Sequence, residues 1–125
     1  MSVALTIAAL LAVLTVLSLR VSQLRLRYRV SHGDGGHADL LVAVRAHGNA
    51  LEQSLVYAVV LLAHAHTLPD ADPWVAAASV GFVAARVVQP WALFTRRLRV
   101  RQLAHVASLV LQWLVAARLL AGIAA

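Results

Sequence analysis

Residues 2–19 read SVALTIAALLAVLTVLSL, eighteen positions without a formal charge or a proline. A predominantly apolar run of this length is enough to cross the roughly 30 Å hydrocarbon core of a bilayer as a helix. A cleaved signal peptide is the rival reading. No Lys or Arg precedes the run, however, so the basic leader expected of a signal peptide is missing. The helix is expected to continue past the hydrocarbon over Arg20, Arg25, Arg27 and Arg29, whose long side chains reach into the head-group layer. The first span is placed at 2–29.

Three further spans follow. Ser31-His32-Gly33-Asp34-Gly35-Gly36 is a turn-forming stretch, and a second span is expected over 39–66. Pro69-Asp70-Ala71-Asp72-Pro73 ends it, with Pro73 suited to the first turn of the next helix. The third span covers 73–95. The cluster Arg96, Arg97, Arg99 and Arg101 leads into the fourth, placed at 100–123. Short connections favour antiparallel neighbours, so the expected fold class is all-α, a single domain (1–125) built as a four-transmembrane-helix antiparallel bundle.

Composition agrees. Apolar residues make up 62% of the 125, and a soluble domain of this size has no interior large enough to hide them. Cysteine is absent, which excludes a disulfide framework, a Cys-ligated zinc and a thiol nucleophile from the chain itself. The formal net charge of +6 could suggest nucleic acid, but all eleven basic residues are Arg, and eight of them sit in two clusters beside apolar runs. That is the pattern of topology signals, so no nucleic-acid partner is expected. The first and third connections are Arg-rich, whereas the second carries Asp70 and Asp72 and no basic residue. The positive-inside rule then puts the Arg-rich connections in the cytoplasm and both termini on the outer side. The Lys-free, Arg- and Ala-rich composition points to a GC-rich bacterial genome, hence to a bacterial inner membrane with periplasmic termini.

Polar residues inside the spans are the functional signal. Arg45, Asn49 and Glu52 are spaced by four and three, so they share one helix face. An Asp or Arg at the bilayer centre costs roughly 2.5–3.5 kcal/mol on insertion scales, and Glu should be similar. Arg45 and Glu52 lie about 10 Å apart along the axis at about 1.5 Å per residue, too far for a direct pair. Asn49, Arg86 of the third span or a bound ligand could join them. Pro90 cannot donate to the Arg86 carbonyl, which is expected to loosen the third helix and open space there. Two readings stand side by side: a structural network that sets helix register, or a binding site. His47 faces away from Arg45, and His64 and His66 cannot share a face, so no metal site is expected. Trp74, Trp91, Trp113 and Tyr28 read as interfacial anchors.

The segment Gly33-Asp34-Gly35-Gly36, then Arg45-Ala46-His47-Gly48-Asn49 and Glu52, resembles the MAPEG family, the membrane-associated proteins in eicosanoid and glutathione metabolism. Leu24-Arg25-Leu26-Arg27, Arg86 and Arg101 extend the resemblance over nearly the whole chain. It implies a homotrimer with glutathione bound between subunits near the cytoplasmic side. By motif match Arg25, Arg45, Asn49, Glu52 and Arg86 would bind glutathione, and Arg101 would stabilise its thiolate. Arginines suit the two carboxylates of glutathione, Glu52 its ammonium, and Asn49 either partner. The resemblance implies a transferase or peroxidase acting on small lipophilic electrophiles or lipid hydroperoxides that arrive from the bilayer. Departures fall more on the catalytic side: Gln102 follows Arg101, Leu93 and Phe94 offer no phenol, and His105 stands where a tyrosine is common, while on the second span Gly48 replaces an arginine of some family versions and Leu55 a frequent proline. His105 is then the substitute hydrogen-bond partner for the thiol. These departures keep open a non-catalytic protein holding glutathione, another low-molecular-weight thiol or an anionic lipid in the same basic cleft. A purely structural trimer is the third alternative.

Overall fold

A computed structural model describes residues 1–68 and 72–124. These residues form four helices, α1 (Val3–Tyr28), α2 (Ala38–Thr67), α3 (Pro73–Phe94) and α4 (Leu98–Ala124), and no strand. Pro69, Asp70 and Ala71 of the expected acidic break lie outside the described residues. On length and composition α1, α3 and α4 are apolar enough to cross a membrane. At 30 residues α2 is the longest, but Arg45, Asn49, Glu52 and Gln53 lower its mean hydropathy. The helices run antiparallel as an up-and-down bundle. Both α2 and α3 pack against all three other helices, while α1 and α4 lie on opposite flanks without touching.

Three apolar patches run along the axis. Leu10, Tyr57, Leu61, Val75, Phe82 and Val115 fill the end near the chain termini. Leu17, Ala46 and Ala50 occupy the middle, and Leu24, Leu40 and Ala43 the arginine-rich end. The rings of Tyr57 and Phe82 stack at 3.8 Å. Ser79 Oγ donates to the Val75 carbonyl, so Tyr57 Oη, 3.0 Å away, donates to Ser79 Oγ. The outer surfaces of α1 and α4 remain apolar, with Leu5, Leu11 and Val16 exposed on one flank and Leu103, Val110 and Trp113 on the other. Lipid is the solvent that suits such flanks, and the protein is an integral membrane protein.

Caps fix the helix ends. Asp72 opens α3 ahead of Pro73: its Oδ1 accepts from the backbone N–H of Trp74 (2.9 Å) and Val75 (3.4 Å), and its Oδ2 from Arg118 Nε of α4 (2.8 Å). Desolvation raises its pKa, and the hydrogen bonds from Arg118 and the two amides lower it by more, so the carboxyl lies below its ordinary range. At the opposite end, Tyr28 stacks flat on His37 with centroids 3.8 Å apart and donates to Asp39 Oδ2 at 2.8 Å. This locks α1 to the start of α2.

The turn between them needs glycine. Gly33 and Gly35 have φ of +66° and +56°, a region that penalises any residue with a Cβ. A Cβ on Gly33 would meet nothing, whereas one on Gly35 would lie 2.5 Å from Val30 Cγ2. Gly33→Ala is therefore expected to cost about 1–2 kcal/mol from the left-handed backbone alone. Gly35→Ala should cost more, because Val30 must also move. Thermal unfolding in detergent checks the order; equal losses would contradict it.

Candidate functional site

A cleft of about 250 Å³ opens between α2, α3 and α4, lined by Asn49, Glu52, Gln53, Gln89, Arg101, Gln102 and His105. Helical spacing builds it. Asn49, Glu52 and Gln53 are three and four residues apart on α2, and Arg101 and His105 are four apart on α4, so each set forms one stripe. Gln89 of α3, buried, closes the back. Gln53 Oε1 and His105 Nδ1 are buried without hydrogen-bond partners, so the cleft offers unused polar capacity at membrane depth. One carboxylate, one guanidinium, one imidazole and four carboxamides suit a zwitterionic or anionic ligand.

Four of the site residues expected from the sequence, Asn49, Glu52, Arg101 and His105, thus meet in one place. Three others do not line it. Arg25 Nη1 donates to the Ser31 carbonyl at 3.0 Å on the α1 side of the bundle, and its buried Nε has no partner. Arg45 is exposed on α2. Arg86 is fully buried, where it donates through Nη2 to Ser108 Oγ and lies 5.4 Å above the Phe82 ring. It does not bridge Arg45 and Glu52: among the described residues the ion pairs are those of Asp72 with Arg118 and His64. The loosening expected at Pro90 also takes another form. Helix α3 continues through Pro90, and the niche lined by Pro90 and Leu93 leaves no room for a water molecule. The free space lies beside Gln89 instead. Sequence reasoning missed Gln53 and Gln89, although each is a carboxamide within a span, next to Glu52 and one turn after Arg86 respectively.

The sequence model of the MAPEG family matches residues 3–121. Among curated proteins, the chain is similar to inner membrane protein YecN of Escherichia coli strain K12 and to its counterpart in strain O6:H1. Each is 44% identical over 61 residues, covering 45% of this chain and 47% of the relative. The match thus spans about half the length of those relatives. No solved structure gives a significant match.

Arg86 Nε and Nη1 have no hydrogen-bond partner, and a buried cation without a carboxylate is costly. Ser108 Oγ also donates to the Ala104 carbonyl, so loss of the arginine would leave no orphaned hydroxyl. Arg86→Met is therefore expected to stabilise the fold, by at most the roughly 2.5–3.5 kcal/mol that a lone Arg costs at the centre of a membrane helix, less the cation–π contact with Phe82. Unfolding in detergent measures this; a clear loss of stability would show that Arg86 holds the bundle together.

Proposed function

The chain belongs to the MAPEG family, and from that premise we propose that it binds glutathione in the α2–α4 cleft and uses it against lipophilic electrophiles or lipid hydroperoxides. The observation that carries this is the convergence of Asn49, Glu52 and Arg101 on one cleft. Glu52 takes the glutathione ammonium, Asn49 a neighbouring amide or carboxylate, and Arg101 the sulfur. An adjacent guanidinium favours the thiolate, the nucleophilic form. His105, one turn on, supplies the hydrogen bond that a phenol gives elsewhere. With an alkyl or aryl electrophile, the sulfur electron pair forms the S–C bond and the leaving group departs with its own pair. With a hydroperoxide, sulfur attacks the terminal oxygen, the O–O bond breaks, and the alkoxide takes a proton. A second glutathione then converts the sulfenic acid to disulfide and water.

Three features support a site between copies in a homotrimer. Asn49 and Glu52 are exposed on a single chain although they lie within a membrane helix, which lipid does not tolerate. The cleft is smaller than the ~300–1,000 Å³ usual for a small-molecule site. Arg25 and Arg101 belong to α1 and α4, which do not touch within one chain. A neighbouring copy would supply Arg25 and Arg45 for the glutathione carboxylates. The membrane is taken to be a bacterial inner membrane, after the relative YecN, with the arginine-rich end cytoplasmic and both termini periplasmic.

One observation favours a second reading, a binding protein without efficient chemistry, for glutathione or another small thiol. Leu93, Phe94 and Gln102 leave the sulfur end of the cleft without a phenol or an aliphatic hydroxyl. Calorimetry of detergent-purified protein, together with thiolate absorbance in the ultraviolet, separates the two. The enzyme gives saturable glutathione binding with a thiolate signal at neutral pH. Arg101→Ala should abolish that signal. Glu52→Ala should weaken binding about tenfold or more, the ~1.5–3 kcal/mol of a charge-assisted hydrogen bond. His105→Ala should lower turnover more than binding; no effect on either would remove its role. Binding without thiolate identifies the carrier, and no binding at all would sink both.

A further inference from the structure

The C-termini of α1 and α3 lie at the same end of the bundle, and both close in the same uncommon way. In α1 the Val30 amide donates to the Arg25 carbonyl (3.1 Å) and the Arg29 amide to the Leu26 carbonyl (3.4 Å). In α3 the Arg97 amide donates to the Ala92 carbonyl (2.8 Å) and the Arg96 amide to the Leu93 carbonyl (3.2 Å). Each is a Schellman motif, whose left-handed position is usually glycine. Here it is arginine both times, Arg29 at φ 54° and Arg96 at φ 57°. They are the two non-glycine residues with positive φ among those described. A Cβ in this region carries a steric cost that glycine avoids, and a backbone outlier of this kind points to a use for the side chain.

Helix dipoles do not explain the choice. Arg25 and Arg27 already place cations in the last turn of α1; α3 has none in its last turn, but Arg97, the residue after Arg96, can serve that C-terminus without a left-handed Cβ. Nor do ion pairs: Arg20, Arg27, Arg29, Arg96, Arg97 and Arg99 are all exposed, and the ion pairs found among the described residues involve none of them. This end therefore carries concentrated positive charge, with Asp34 and Asp39 as its acidic residues and none of these arginines held in an ion pair with either. It adjoins surface that faces lipid: Trp91, Phe94 and Leu98 are exposed, and the Arg97 guanidinium lies 5.0 Å over the Trp91 ring. Arg27 lies 5.5 Å over Tyr28 in the same manner. A guanidinium stacked on a ring at head-group depth keeps its N–H edge free for phosphate oxygens.

We propose that the arginine-rich end is a binding surface for anionic phospholipid head groups, in which Arg29 and Arg96 are principal contacts. The lipid's acyl chains would lie along the apolar surface beside Trp91 and Phe94, while its phosphate meets the guanidinium groups. The surface uses neither Arg101 nor Glu52 and does not depend on glutathione.

The test uses the full chain in nanodiscs of phosphatidylcholine alone or with phosphatidylglycerol, with Arg29→Gly, Arg96→Gly and the double variant. Glycine suits the left-handed position, so the variants should melt at the wild-type temperature or above it in phosphatidylcholine. Phosphatidylglycerol should raise the wild-type midpoint. Each glycine should weaken phosphatidylglycerol binding about fivefold, the effect of one arginine near a charged surface, and the pair about twenty-five-fold. A double variant with the full wild-type response would overturn the proposal. So would variants that melt lower in phosphatidylcholine, which would make the two arginines structural. A wild-type gain reproduced by inorganic phosphate alone would overturn the lipid as partner.

Discussion

A polar face on a helix at membrane depth is the constraint around which this protein is arranged. Arg45, Asn49 and Glu52 lie on one side of α2, and lipid can satisfy none of them; a charged side chain there costs roughly 2.5–3.5 kcal/mol on insertion scales. The fold answers half of this. It places α2 against α4 so that Asn49, Glu52 and Gln53 face Arg101, Gln102 and His105, with Gln89 behind. Asn49 and Glu52 nevertheless remain exposed on the single chain. The apolar flanks of α1 and α4 suit lipid, whereas this face requires a ligand, another protein surface or both.

The eleven arginines divide by depth and neighbours. Arg86 is sealed among α3 and α4 with Ser108 and Phe82, and Arg101 borders open space. Arg118 holds Asp72 at the other end of the bundle. Most of the rest crowd one end, two of them at backbone positions where glycine is the usual residue. One residue type thus serves interior, cleft, cap and membrane surface, and position along the bundle axis decides among them.

Much of this was legible in the sequence. Long uncharged runs and the breaks at Gly33–Gly36 and Pro73 give the all-helical, four-helix membrane fold, because hydrocarbon admits few alternatives for a backbone. The three-and-four spacing put Asn49 and Glu52 on one face, and the resemblance joined Arg101 and His105 to them. What escaped depends on how the helices are rotated against one another. Spacing along α3 does not reveal that Arg86 turns to Ser108 rather than to Glu52, or that Gln89 faces the cleft. The positions of Arg25 and Arg45 relative to Arg101 are not a property of one chain at all if the site lies between copies. The left-handed arginines were hidden too, since only the hydrogen-bond pattern at a helix end shows which residue occupies that position.

Whether the polar face of α2 is completed by further copies around glutathione can be asked in one spectrum. Native mass spectrometry of the protein released from detergent with glutathione present counts chains and bound ligand together. Three chains carrying glutathione, with the ligand lost in Glu52→Ala, is the expected result. Single chains, with or without glutathione, would contradict a site shared between copies.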